Sequence, residues 1–267
     1  MPKIAANGIQ IYYELHGPEE AEVVVLSNGI LMSTASWGFQ LPALSRRHRV
    51  LLYDCRGMWQ SDHPAGPYSM ELHADDLAGL LDALGIERAH IAGISYGGEL
   101  SMAFAHKYPG RTRSLIVSSS VSQIDPLLRA WGDSWIAAAR RHDPEMLFCA
   151  TCPLNFSEAF IAANPAALAA ARERYELLDM DAFLELMLAF TRLELTPLLH
   201  EIRAPALVLV GEDDILKPRA YSEIIAREIP GAEFAVVPHA GHAVSWEQPG
   251  PFNTLLLGFL AKHQEMR

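Results

Sequence analysis

Six short apolar runs rich in β-branched residues punctuate the chain: 22–29 (EVVVLSNG), 49–54 (RVLLYD), 89–95 (AHIAGIS), 114–120 (SLIVSSS), 206–211 (ALVLVG) and 233–238 (EFAVVP). Each is too short for a helix, and its apolarity is continuous rather than alternating, the pattern of a strand covered on both faces. Helical periodicity fills the gaps. In 69–85 (SMELHADDLAGLLDALG) the residues Leu77, Leu80, Leu81 and Leu84 share one face, with Ser69 placed as N-cap and Gly85 as terminator. A second helix is predicted over 96–110 (YGGELSMAFAHKYPG), ended near Pro109 and Gly110. Parallel neighbours need a crossover and a helix is the usual one, so the alternation predicts an α/β fold with a mostly parallel, doubly wound sheet. The opening stretch 8–17 (GIQIYYELHG) reads as an antiparallel edge strand.

From 122 to 196 the strand signals vanish and aromatic, alanine-rich helical stretches follow, such as 182–190 (AFLELMLAF), where Phe183, Met187 and Phe190 share a face. The expected organisation is therefore a core made of 1–121 and 197–267, with a helical cap inserted at 122–196, before the strand at 206–211. No internal repeat, low-complexity tract or flexible linker interrupts it.

The chain has 267 residues, half of them apolar, enough to bury one large core. Its formal net charge is -11, and no run of lysine or arginine exceeds two, which argues against nucleic acid as a partner. No apolar run approaches the roughly 18 residues of a membrane span, and the opening lacks a basic start followed by an apolar block. A soluble, cytoplasmic protein without a membrane partner is the expectation. Cys149 and Cys152 form a lone C-x-x-C in a helical stretch with no second pair, so they are expected as small buried residues rather than metal ligands. The glycosylation-like spacing at Asn155 is given no role.

Candidate chemistry begins at Gly93-Ile94-Ser95-Tyr96-Gly97. A serine on a very tight turn between strand and helix adopts a strained backbone, and flanking residues without Cβ atoms leave room for it. Here the serine follows a predicted buried strand and precedes a predicted helix. A hydroxyl is a weak nucleophile at neutral pH, so it needs a base within hydrogen-bond reach and a third group to orient that base. Asp213 and Asp214 lie in the turn after 206–211, and His239 and His242 in the turn after 233–238. Both turns fall at carboxyl ends of parallel strands, where ligands bind in such sheets. The residues alone leave each pair open.

Together these segments resemble the α/β-hydrolase family over essentially the whole chain, in the order nucleophile, acid, histidine. The resemblance is closest to its serine hydrolase branch of esterases and enol-lactonases. The family pattern G-x-x-D-x-x-x-P is matched by Gly211, Asp214 and Pro218, which implies Asp214 as the acid. G-H-x-x-x-x-E-x-P is matched by GHAVSWEQP, which implies His242 as the base and leaves His239 as a loop residue. Asp54 and Arg56 resemble a structural loop of the family, with Met58, Trp59 and Gln60 where small and polar residues are usual. Asn28, Gly29 and Ile30 stand where the family has His-Gly-x, which implies an oxyanion hole built from the main-chain N–H groups of Ile30 and Tyr96. Asparagine at 28 is similar to the enol-lactonase branch and to a branch of bacterial acyltransferases.

The resemblance implies a serine hydrolase that cleaves a carboxylic ester or lactone through an acyl-enzyme on Ser95. Its alternatives are an acyltransferase or a carbon–carbon bond hydrolase using the same residues, and, less expected, a non-catalytic binding protein. Trp37 and the cap residues Trp131 and Trp135 are the expected substrate-binding walls of an apolar pocket. The expected partner is a small-molecule acyl substrate bound by a monomer or homodimer, with no cofactor and no metal.

Overall fold

The strands Val23–Ser27, Ala89–Ile94 and Ala206–Gly211 are buried along their whole length, as continuous apolarity requires. The computed structural model describes residues 2–264 and sets these runs at the centre of one eight-stranded sheet. In chain order the strands are β1 (Lys3–Ala6), β2 (Ile9–His16), β3 (Val23–Ser27), β4 (Arg49–Tyr53), β5 (Ala89–Ile94), β6 (Thr112–Ser118), β7 (Ala206–Gly211) and β8 (Glu233–Val237). Their spatial order is β1-β2-β4-β3-β5-β6-β7-β8, with β4 through β8 parallel and the first two strands antiparallel.

The amino-terminal expectation needs correction. Residues 9–16 are not the edge; 9–12 pair with β1 and 13–16 with β4, and the edge is β1, joined to β2 across Asn7-Gly8. Both turn residues have positive φ, 45° and 80°, the conformation that makes Asn-Gly a favoured two-residue hairpin connection.

Side chains alternate across the sheet and so fill two cores. Val23 and Val25 enter the larger one, under the helices Met70–Ala83 and Tyr96–Lys107, whereas Val24 and Leu26 enter the smaller one under Pro249–Lys262. The cap of the Met70 helix forms as its sequence indicates: Ser69 Oγ accepts the N–H of Leu72, and Gly85 follows the last turn at φ 66°.

Between β6 and β7 lie five α-helices: Pro126–Arg140, Pro144–Asn155, Glu158–Ala163, Pro165–Tyr175 and Met180–Phe190. Phe183, Met187 and Phe190 face inward from the last of them into the larger core. Two partly buried contacts tie this layer to the segments that follow β4 and β8. Glu247 accepts the N–H and the hydroxyl of Ser157, and Arg192 donates to the carbonyl of Tyr68. Among the described residues no helix is long and apolar enough to cross a membrane.

The core holds neutral histidines. Burial lowers His73 to about 3 and His90 to about 4 from an ordinary value of 6.5. At these two sites the unfolded chain therefore binds more protons than the folded one between about 4 and 6.5, and their contribution to stability rises with pH across that window. Asp54, raised by burial from 3.8 to about 6, acts in the opposite direction, as do Asp76 and Glu99, whose carboxyls burial also raises. The stability of wild type relative to His90→Gln, read from urea midpoints between pH 4.5 and 7, is expected to rise with pH.

Candidate active site

The peptide after β5 turns so sharply that Ser95 sits at φ 54° and ψ −121°, a region that favours glycine. The turn is possible because nothing projects around it. A Cβ on Gly93 would run into the carbonyl of Gly97, and one on Gly97 into the carbonyl of Ser27. Gly98, which the five-residue pattern does not cover, is equally constrained, since a Cβ there would meet the hydroxyl of Ser120.

β7 and β8 end beside this turn and deliver the other two groups. Asp214 Oδ2 lies 2.9 Å from His242 Nδ1, and His242 Nε2 lies 2.9 Å from Ser95 Oγ. A carboxylate only accepts, so Nδ1 carries the ring proton and Nε2 is left as the acceptor for the serine hydroxyl. The second oxygen of Asp214 accepts the backbone N–H of Lys217 at 2.8 Å, which locks the carboxylate in place. Asp213 and His239 are exposed and stand outside this relay.

Lys217 makes a further contact that sequence reading passed over. Its Nζ donates to Ser95 Oγ at 3.1 Å and to Glu99 Oε1 at 2.5 Å, with both charged side chains buried. Oγ thus accepts from Lys217 and points its own proton at His242. Glu99 Oε1 also accepts the N–H of Val121, while Oε2 has no hydrogen-bond partner among the described residues. Burial pushes the Glu99 carboxyl up, and Lys217 pulls it back. The available signal is a glutamate one turn past the serine, in the apolar first half of its helix, and a lysine one turn past the acid.

Ser95 lies between two cavities. A larger one of about 380 Å³ is walled by Trp59, Phe148, Phe156, Arg174, Tyr175 and Trp246, and also reaches His242. A small one of about 30 Å³ lies on the Lys217 side, beneath Trp131, Trp135, Met187, Phe190 and Leu216. Ile30 borders both. The amide of Tyr96 is the first of its helix and so has no intrahelical acceptor.

Trp131 and Trp135 therefore line a cavity at Ser95, whereas Trp37 does not. Trp37 is 1% exposed in the smaller core, and its indole N–H donates to Asn28 Oδ1 at 2.8 Å, which corrects its expected place in the pocket wall. Asn28 is itself turned inward, donating to the carbonyl of Tyr53 and to Asp54. The loop at 54–61 is structural through a buried Arg56–Asp76 pair, yet Trp59 faces the larger cavity. Cys152 borders the same cavity, while Cys149 is exposed rather than buried. No group of three or more His, Cys, Asp or Glu among the described residues is placed to hold a metal ion.

Comparison with known proteins places the chain in a family. A family model described as the alpha/beta hydrolase fold matches residues 22–249. A protein from Azorhizobium caulinodans, provisionally named a carbamate hydrolase (RutD), is 34% identical over 268 residues, covering 97% of this chain and 98% of its own. The crystal structure of an enol-lactonase from Burkholderia xenovorans superposes with a TM-score of 0.92 at 30% identity, covering 97% of this chain and all of that one. A thermophilic esterase from Thermogutta terrifontis gives a TM-score of 0.91 at 29% identity, with 99% and 100% covered. By its sheet, by the turn that bears Ser95 and by these relationships, the chain belongs to the α/β-hydrolase family and is a hydrolase.

Proposed function

We propose that the protein is a serine hydrolase of carboxylic esters or lactones, working through an acyl-enzyme on Ser95. The observation that carries this reading is the continuous relay from Asp214 through His242 to the serine hydroxyl, at 2.9 Å in both steps. In the proposed reaction His242 Nε2 takes the serine proton as Oγ attacks the carbonyl carbon, and then returns it to the leaving oxygen. Asp214 holds the imidazole and stabilises its charged form. The main-chain N–H groups of Ile30 and Tyr96 receive the negative charge on the carbonyl oxygen. A water activated by His242 then releases the acid.

The carbamate reading suggested by the names of the relatives uses the same covalent step, with a carbamoyl group on Ser95. The acyltransferase alternative uses the same covalent step and differs in the acceptor that takes the acyl group from Ser95.

Rapid mixing with p-nitrophenyl acetate is expected to give a burst of p-nitrophenol, and acid-quenched protein should carry one acetyl group on the Ser95 peptide. An acetyl group found elsewhere, or turnover without an adduct after rapid quenching, would remove the acyl-enzyme.

A further inference from the structure

The larger cavity is walled mainly by apolar side chains, yet one wall carries a full positive charge. Arg174, on the helix Pro165–Tyr175, is half-buried there, with Cζ 4.6 Å from the ring centre of Trp59 and Nη2 donating to Ser33 Oγ at 3.1 Å. A guanidinium has five N–H donors, and that hydrogen bond uses one. No carboxylate among the described residues pairs with it. The acid whose charge reaches it is Asp54, whose two oxygens already accept from Asn28 and from the N–H groups of Thr34 and Gln60.

The contrast within one helix is informative. Arg172, two residues earlier and exposed, pairs with Glu145, and Arg56 in the core pairs with Asp76. Arg174 alone of the three is partly withdrawn from water without a counter-charge, and desolvation depresses its pKa. Trp59, which faces it, is held at φ 42°, where bulky residues are outliers; such strain persists where surrounding structure imposes it and clusters at ligand sites.

We propose that Arg174 is an anion subsite of the larger cavity, and that the substrate is an acyl compound whose chain, attacked at Ser95, ends in a carboxylate held by the unused guanidinium N–H groups. The proposal rests on the serine hydrolase reading above. The chain belongs in the larger cavity because the smaller, at about 30 Å³, has room for little more than a water-sized group. With a formal net charge of -11 the protein repels anions at long range, so the preference has to be made locally.

The test compares methanol release from monomethyl and dimethyl esters of linear dicarboxylic acids of increasing length. Allowing for the two equivalent groups of the diester, wild type is expected to favour the monoester in kcat/KM by about 10- to 100-fold at the best length. Arg174→Gln should bring that ratio near one, chiefly through KM, and Arg174→Lys should keep part of it because charge remains while the planar fork is lost. A ratio unchanged in Arg174→Gln overturns the proposal. Calorimetry of the free dicarboxylates with Ser95→Ala protein needs no turnover. Affinity weakened about tenfold or more by adding Arg174→Gln supports the subsite, whereas unchanged or undetectable binding overturns it. If wild type hydrolyses neither ester while dicarboxylate binding still depends on Arg174, the proposed ester hydrolysis falls and the anion subsite stands.

Discussion

Ser95→Ala is expected to lower kcat/KM for a short activated ester by on the order of 10⁶-fold, the loss seen when a serine nucleophile is removed from such a relay. The fold should survive, because among the described residues the hydroxyl hydrogen-bonds only to His242 and Lys217, and neither needs it to stay buried. A paired variant separates chemistry from strain. Ser95 holds φ 54°, a conformation that disfavours any residue with a Cβ, and alanine inherits that cost while glycine does not. Ser95→Gly is therefore expected to be as inactive as Ser95→Ala but more stable than it by about 1–3 kcal/mol. Chemical denaturation of the two variants checks this. Equal stability would show that the turn is unstrained, and residual activity near wild type would show that the serine is not the nucleophile.

Lys217→Met is expected to destabilise the protein by about 3–5 kcal/mol, the usual result of removing one partner from a buried ion pair. Glu99, wholly buried, would keep only the N–H of Val121 and would take up a proton on folding. The double variant Lys217→Met/Glu99→Gln removes both charges and should recover most of that stability. Its activity decides whether the pair only supports the fold. If the ammonium steers the serine proton toward His242, the double variant folds well yet hydrolyses esters about 10²-fold more slowly, the scale of losing one donor aimed at a reacting oxygen. Recovery of activity together with stability would assign the pair to structure alone.

Much of the site was legible because its parts are local. The strain at Ser95 demands glycines at fixed neighbouring positions, and the acid and histidine follow strands whose apolar runs are unmistakable. The Asn7-Gly8 hairpin is local too, but its first strand, Lys3–Ala6, is four residues long and gives little signal. Other features were not local. Trp37 follows the loop that bears Ile30, but its indole turns away to Asn28, a choice that depends on which face of the loop packs on the smaller core. The pairing of Lys217 with Glu99 spans 118 positions, a distance over which periodicity carries no information.

The pattern of apolar runs determined that this chain forms a parallel sheet with helices on both faces, because each run must be covered twice and each crossover must return in the same direction. The glycines determined where a side chain can stand exposed at a forbidden bend. Only the folded chain decided which charges meet: that a lysine reaches the serine oxygen, and that an arginine on the helical layer stands in an apolar cavity without a carboxylate. Such meetings depend on how helices from distant segments settle over the strand ends, where the fit of whole surfaces, and not the order of residues along any one of them, fixes what lies within a few ångströms.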